Sequence, residues 1–181
     1  MEALAIVVPL REFSHSKTRL RRAGVTDVDK LCEEWAERVI VAGQPRPVYV
    51  ACESVSIAQF AESLGADVIL SDARGLNEAV QHAHGVLSPQ YQTIVVAHGD
   101  LRNPAGLGAW EPPAAVTVVA DHHGTGTNVL AVPTEHSFQF AFGSDSARRH
   151  VHEANRLGLD NLTIFTSAWA YDVDEPEDLI P

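Results

Sequence analysis

Four short apolar runs, continuous rather than alternating, recur along the first half of the chain: "LAIVV" at 4–8, "VYVA" at 48–51, "DVIL" at 67–70 and "TIVVA" at 93–97. Strands of this kind have to be covered on both faces, which constrains the chain to a sheet sandwiched between helices. The segments between the runs supply those helices. Val28, Leu31, Cys32, Trp35, Ala36, Val39 and Ile40 fall three and four apart, the stripe of an amphipathic helix with Asp27 near its start and Gly43 at its end. Ile57, Phe60, Ala61 and Leu64 repeat the pattern up to Gly65, and Leu76, Ala79, Val80, Ala83 and Leu87 repeat it again. Strand and helix alternate, so an α/β architecture with a mostly parallel, doubly wound sheet is expected.

The rhythm changes after Val119. "NVLAVP" and "FQFAF" read as strands with no helix between them, residues 144–157 read as a helix, and "LTIF" returns to the sheet. With 181 residues, 45% of them apolar, the chain has enough material for one compact domain, expected to run over 1–181. No stretch approaches the roughly 18 apolar residues of a membrane span and no signal peptide is legible, so the expectation is a cytoplasmic protein with no membrane partner. Cys32 and Cys52 fall inside a helix and a strand pattern and are expected to be reduced, buried thiols. A net charge of -11 repels a nucleic-acid backbone and argues against a polyanion groove. A small anionic ligand would need placed cations, backbone amides or a divalent metal.

In open α/β sheets ligands bind beyond the carboxyl ends of the strands, so the residues after each apolar run are the informative ones. The first run leads into "PLREFSHSKTRL", where Lys17 and Arg19 flank a threonine in a loop able to wrap phosphates, without the glycines of a Walker A motif. The fourth ends in "HGDL", placing Asp100 to hold a metal. In "YDVDEPEDL" Asp172 and Asp174 lie two apart, on one side of an extended segment; two charges held that close call for a cation between them. In "DHHGTGTNVL" the adjacent His122 and His123 would point to opposite faces of an extended segment, which weakens a shared-metal reading. Gly124 and Gly126 permit the backbone angles that aim successive N–H groups at an anion, with Thr125 and Thr127 adding hydroxyls. Gly143 and Ser146 stand at a helix start that suits a phosphate or carboxylate.

Taken together and in order, "VPL", "SKTRL", "DARGLNEAV", "HGDL", "HHGTGTNVL", "FGSDSARRH" and "DVDEPEDL" resemble the 2-phospho-L-lactate or phosphoenolpyruvate guanylyltransferases of coenzyme F-420 biosynthesis. The resemblance implies a MobA-like, Rossmann-like nucleotidyltransferase fold, GTP and Mg2+ as reactants, and a phosphorylated three-carbon acid as acceptor. It implies catalytic roles for Lys17, Arg19 and Asp100, and a nucleotide site made from Pro9, Leu10, Lys17, Asp72, Gly75, Leu76 and Asn77. It assigns the acceptor to Thr125, Thr127, Asn128, Gly143 and Ser146, and the metal to Asp100, Asp172 and Asp174. The sequence departs from the family pattern at Arg102 and Ser144, where prolines are usual. A catalytically idle nucleotide-binding relative, and a transferase for another acceptor such as 3-phosphoglycerate, remain open as alternatives; a homodimer is the assembly entertained.

Overall fold

The computed structural model describes residues 2–179. Its elements run β1 (Glu2–Pro9), α1 (Thr18–Arg22), α2 (Val28–Gly43), β2 (Val48–Cys52), α3 (Val55–Ser63), β3 (Asp67–Leu70), α4 (Leu76–Leu87), β4 (Tyr91–Ala97), β5 (Val116–Ala120), β6 (Thr127–Pro133), α5 (Ser146–Arg156) and β7 (Asn161–Ile164). One seven-stranded sheet has the order β3-β2-β1-β4-β6-β5-β7. All neighbours pair in parallel except β6, which is antiparallel to both β4 and β5.

The apolar runs of β1, β2 and β4 are buried on both faces, as expected; that of β3 is not, because β3 is the edge of the sheet and leaves Asp67 and Leu70 exposed, with only Ile69 buried. In β1, Ala5 and Val7 join a core with Val80, Ala83 and Leu87 of α4 and Ala147 and Ala154 of α5. Leu4, Ile6 and Val8 face the other way, onto Val39 and Ile40 of α2 and Ile57 and Ala61 of α3. Burying a Val or Ile side chain stabilises by about 1.5–3 kcal/mol, so a strand buried on both faces fixes its own position in the sheet. A third, smaller cluster joins Leu20 of α1, Val28, Cys32 and Trp35 of α2, and Val173 near the C-terminus. Cys32 and Cys52 are free and buried, as expected. No helix among the described residues is long and apolar enough to cross a membrane.

One expected strand is absent. "FQFAF" adds nothing to the sheet; it threads between α4 and α5, with Phe138, Phe140 and Phe142 buried in the core. Side chains, not a neighbouring strand, satisfy its backbone. The N–H groups of Gln139, Phe140, Ala141 and Phe142 donate in turn to Glu153 Oε1, Gln81 Oε1, His150 Nε2 and Asn77 Oδ1, at 2.9, 3.4, 3.0 and 2.6 Å. Asn77 and Gln81 also donate back, to the carbonyls of Phe142 and Phe138. Alternating aromatics report one buried face; they do not report what pairs with the backbone.

Candidate active site

The strand order reverses between β1 and β4, since β2 and β3 lie to one side of β1 and the rest of the sheet beyond β4. The crevice past the carboxyl ends of two such strands is where an α/β sheet holds ligands. An open cleft of about 1320 Å3 lies there. Its walls include Pro9 and Leu10 after β1, Ser71 to Leu76 around the start of α4 apart from Asp72, and His98 to Asp100 after β4. The antiparallel course of β6 brings its first residues, Thr127 and Asn128, to the same edge: His98 N donates to the carbonyl of Asn128 at 3.1 Å.

Asp100, Asp172 and Asp174 converge there, each offering a carboxylate oxygen within 4.8 Å of the others. The backbone explains the convergence. Leu101 and Asp172 form an antiparallel bridge, the N–H of Arg102 donates to the carbonyl of Tyr171 at 2.8 Å, and that of Val173 to the carbonyl of Asp100. Val173 turns into the small core and is 3% exposed, so Asp172 and Asp174 on either side of it face the cleft together. Arg102, where the family pattern has proline, therefore supplies a backbone donor that proline would lack.

Lys17 sits among these carboxylates. It opens α1 in the left-handed region, with φ 53°, a conformation non-glycine residues adopt only when their surroundings enforce it. Its ammonium pairs with Asp100 and, at 2.7 Å, with Asp174. Burial alone would lower the Lys17 pKa; the two aspartates overcome that and raise it. Burial raises the Asp174 carboxyl, but Lys17 outweighs burial and the net shift is downward. At Asp172, burial, then Asp100 and Asp174, push the carboxyl up, and the Asn128 amide, 3.3 Å from its oxygen, only partly offsets them. Arg19, 68% exposed, pairs with Glu175 at 2.8 Å and ties the loop after β1 to the C-terminal segment. Asp100 Oδ1 and His98 Nε2 are buried with no hydrogen-bond partner among the described residues.

The glycine-threonine segment is arranged differently from the expectation. The amides of Thr125 and Gly126 both donate to Asp121 Oδ1, at 2.8 and 2.9 Å, so the anion they cradle is a side chain of the same chain. Gly126 is required by that contact, because a Cβ there would lie 2.7 Å from Asp121 Oδ2. His122 and His123 occupy a turn rather than an extended stretch, so their rings lie together, 3.8 Å apart, and His122 stacks on Tyr171. Adjacent side chains point to opposite faces in a strand, not in a turn. Asp121 was legible only as a residue preceding a turn, and such an Asp commonly bonds the backbone that follows it.

Thr125, Thr127, Asn128, Gly143 and Ser146 all line the cleft. Asn128 is committed, donating to the carbonyl of Trp169 at 3.0 Å as well as to Asp172. The helix start at Ser146 is partly used as well: the Ser146 and Ala147 amides donate to the carbonyls of Gly143 and Thr125. The hydroxyls of Ser146 and Thr127 bond each other at 3.1 Å. Gly75 and Leu76 line the cleft near the start of α4, whereas Asp72 is exposed outside its lining and Asn77 is turned to the backbone of Phe142. A position-by-position resemblance carries no information about which way a side chain faces, and here the buried backbone of residue 142 claims the Asn77 amide.

A family profile described as "Guanylyl transferase CofC like" matches residues 4–181. The chain is similar to a phosphoenolpyruvate guanylyltransferase of Chloroflexus aggregans, 29% identical over an alignment of 193 positions that takes in 97% of this chain and 95% of the relative. It is also similar to a 2-phospho-L-lactate guanylyltransferase of Natronomonas pharaonis, 29% identical over 181 residues, covering 96% and 82%. Among solved structures, a nucleotidyl transferase from Methanothermobacter thermautotroptrophicus superposes with a TM-score of 0.68 at 14% identity, over 98% of this chain and 94% of that one, a likeness of fold. The fold is thus that of the MobA-like nucleotidyltransferases, and the chain belongs to the CofC-like guanylyl transferase family.

Proposed function

We propose that this protein transfers GMP from GTP to the phosphate of phosphoenolpyruvate or 2-phospho-L-lactate, releasing pyrophosphate, as a step of coenzyme F-420 biosynthesis. The observation that carries this reading is the gathering of Asp100, Asp172 and Asp174 around Lys17 at the point where the strand order reverses. A phosphate monoester is ionised near neutral pH, so its oxygen attacks the α-phosphorus of GTP without a general base. That bond forms as the bond from the α-phosphorus to the bridging oxygen breaks, and pyrophosphate leaves. Catalysis is then alignment of two anions and neutralisation of their charge.

The carboxylates suit a hard divalent cation, for which Mg2+ is the assignment: the donors are all oxygen, and Asp100 Oδ1 is buried with no hydrogen-bond donor among the described residues. Asp100, Asp172 and Asp174 would hold the ion, which would supply positive charge to bound phosphates. The other tasks fall to the chain. Asn128 fixes the orientation of Asp172. Lys17 holds Asp100 and Asp174 apart from one another's charge and, with Arg19, makes the loop after β1 the cationic wall for phosphates. Pro9, Leu10, Gly75 and Leu76 line the side assigned to the nucleoside; Thr125, Thr127, Gly143 and Ser146 line the side assigned to the acid. Phosphorus NMR of enzyme, GTP, Mg2+ and either acid tests the bond made. The reading expects the two coupled resonances of an unsymmetrical diphosphate diester together with pyrophosphate; GDP and free phosphate instead would overturn it.

A further inference from the structure

His150 lies beneath the acid side of the cleft, fully buried on α5, and contributes nothing to the cleft lining. It shares one helix face with Ser146 and Glu153, the i, i+4, i+7 series. Its hydrogen bonds fix its proton. The backbone N–H of Ala141 can only donate, and it points at Nε2 from 3.0 Å, so Nε2 is bare and a neutral ring carries its hydrogen on Nδ1. Nδ1 lies 3.1 Å from Thr127 Oγ1, which must therefore accept. Ser146 Oγ donates to the same oxygen, also at 3.1 Å. Thr127 Oγ1 thus receives two hydrogen bonds, and its own hydrogen has no protein acceptor among the described residues. Thr127 is 3% exposed at the cleft wall, and a buried hydroxyl hydrogen calls for an acceptor, which a ligand in the cleft would supply.

Resting on the guanylyl-transfer reading above, we propose that His150 is a positioning residue that locks Thr127 as an obligate hydrogen-bond donor to an anionic oxygen of the acid substrate. A free threonine hydroxyl presents donor or acceptor at will; this one, with both lone pairs taken, repels a ligand donor and favours a carboxylate or phosphate oxygen. The burial that keeps the ring neutral and the Ala141 contact act together, so the specificity of a residue in the cleft is set by one that never touches the ligand.

Two substitutions separate the halves of this arrangement. A glutamine oxygen reaches the Nε2 position, so His150→Gln keeps an acceptor for Ala141 and loses the donor to Thr127. An asparagine amide reaches the Nδ1 position, so His150→Asn keeps the donor and loses the acceptor. Steady-state pyrophosphate release is expected to show the KM for the acid raised about tenfold or more in His150→Gln, with the KM for GTP within about twofold of wild type. His150→Asn should keep an acid KM near wild type at lower thermal stability. Thr127→Val should match His150→Gln, and the double variant should be no worse than Thr127→Val alone. Equal effects on both substrates, equal effects of Gln and Asn, or additive losses would overturn the proposal. Nitrogen-15 NMR of histidine-labelled wild type gives a readout that needs neither variant nor turnover. A protonated Nδ1 with bare Nε2 at pH 7 supports the lock; a protonated Nε2 overturns it. If wild type turns over no acid but shows the Nδ1 tautomer, the guanylyl-transfer reading has failed, and the proposal, which needs an acid substrate, falls with it while the geometry stands.

Discussion

Lys17→Met removes the cation around which the cleft carboxylates are packed and leaves an apolar side chain of similar length. Asp100, Asp172 and Asp174 then face one another across at most 4.8 Å without the Lys17 charge between them. At an effective dielectric of 20 a like-charge pair at that distance repels by roughly 3.5 kcal/mol. Asp174 is 55% exposed and its share is screened, so the net destabilisation is taken as about 2 kcal/mol. For a chain of this size that lowers the melting temperature by about 4–8 °C in a metal-free, chelated buffer. A divalent cation binding only the folded variant restores about 2.7 kcal/mol at a hundred times its dissociation constant. Wild type should gain less from the same ion, because Lys17 already occupies part of that role. Thermal unfolding of both proteins in chelator and in rising Mg2+ measures all three quantities. An unchanged melting temperature in chelator, or a drop that Mg2+ does not reverse, would refute the assignment of Lys17 as the counter-charge of a metal site.

Asp174→Asn is expected to abolish turnover while leaving the circular-dichroism spectrum and melting curve near wild type, since its side chain is over half exposed; substantial activity in a metal titration would remove it from the metal site. Ser146→Ala takes away one of the two donors to Thr127 and should raise the KM for the acid far more than that for GTP in a pyrophosphate assay. Asn77→Ala deletes both bonds to the backbone of Phe142 and is expected to lower stability by about 2 kcal/mol in urea unfolding. Burial, then the Arg149 and His98 charges, lower the His150 pKa from 6.5 to about 4. Its contribution to stability is therefore complete above pH 6.5 and is lost as pH falls toward 4, because the unfolded chain takes up the proton first; the loss is about 3 kcal/mol. Urea unfolding at pH 7 and pH 4.5 should show a steeper loss for wild type than for His150→Gln.

The helices and the parallel strands were legible because burial writes its period into the residues: six of the seven apolar positions read for α2 are buried, with only Leu31 part-exposed. That Asp172 and Asp174 face one way was legible for a related reason, since an apolar Val173 between two aspartates marks a segment with one face in the core and the other in the cleft. What escaped was the use of polar side chains by the backbone. Nothing in "FQFAF" says that Asn77, Gln81, His150 and Glu153, on two helices separated widely in sequence, will take the place of a partner strand. For the same reason Asp121 stood unnoticed as the anion under the glycine-threonine turn. Such bonds depend on tertiary approach, and the only local trace of them was helical spacing: His150 and Glu153 follow Ser146 by four and seven residues.

Guanylyl transfer to a small phosphorylated acid is read from steady-state pyrophosphate release with GTP and Mg2+. Phosphoenolpyruvate, 2-phospho-L-lactate and 3-phosphoglycerate are added in turn, with ATP as the nucleotide control. Release is expected to require GTP, a divalent cation and phosphoenolpyruvate or 2-phospho-L-lactate together. Release from GTP without an acid, or none with any acid from protein that binds GTP, would contradict guanylyl transfer.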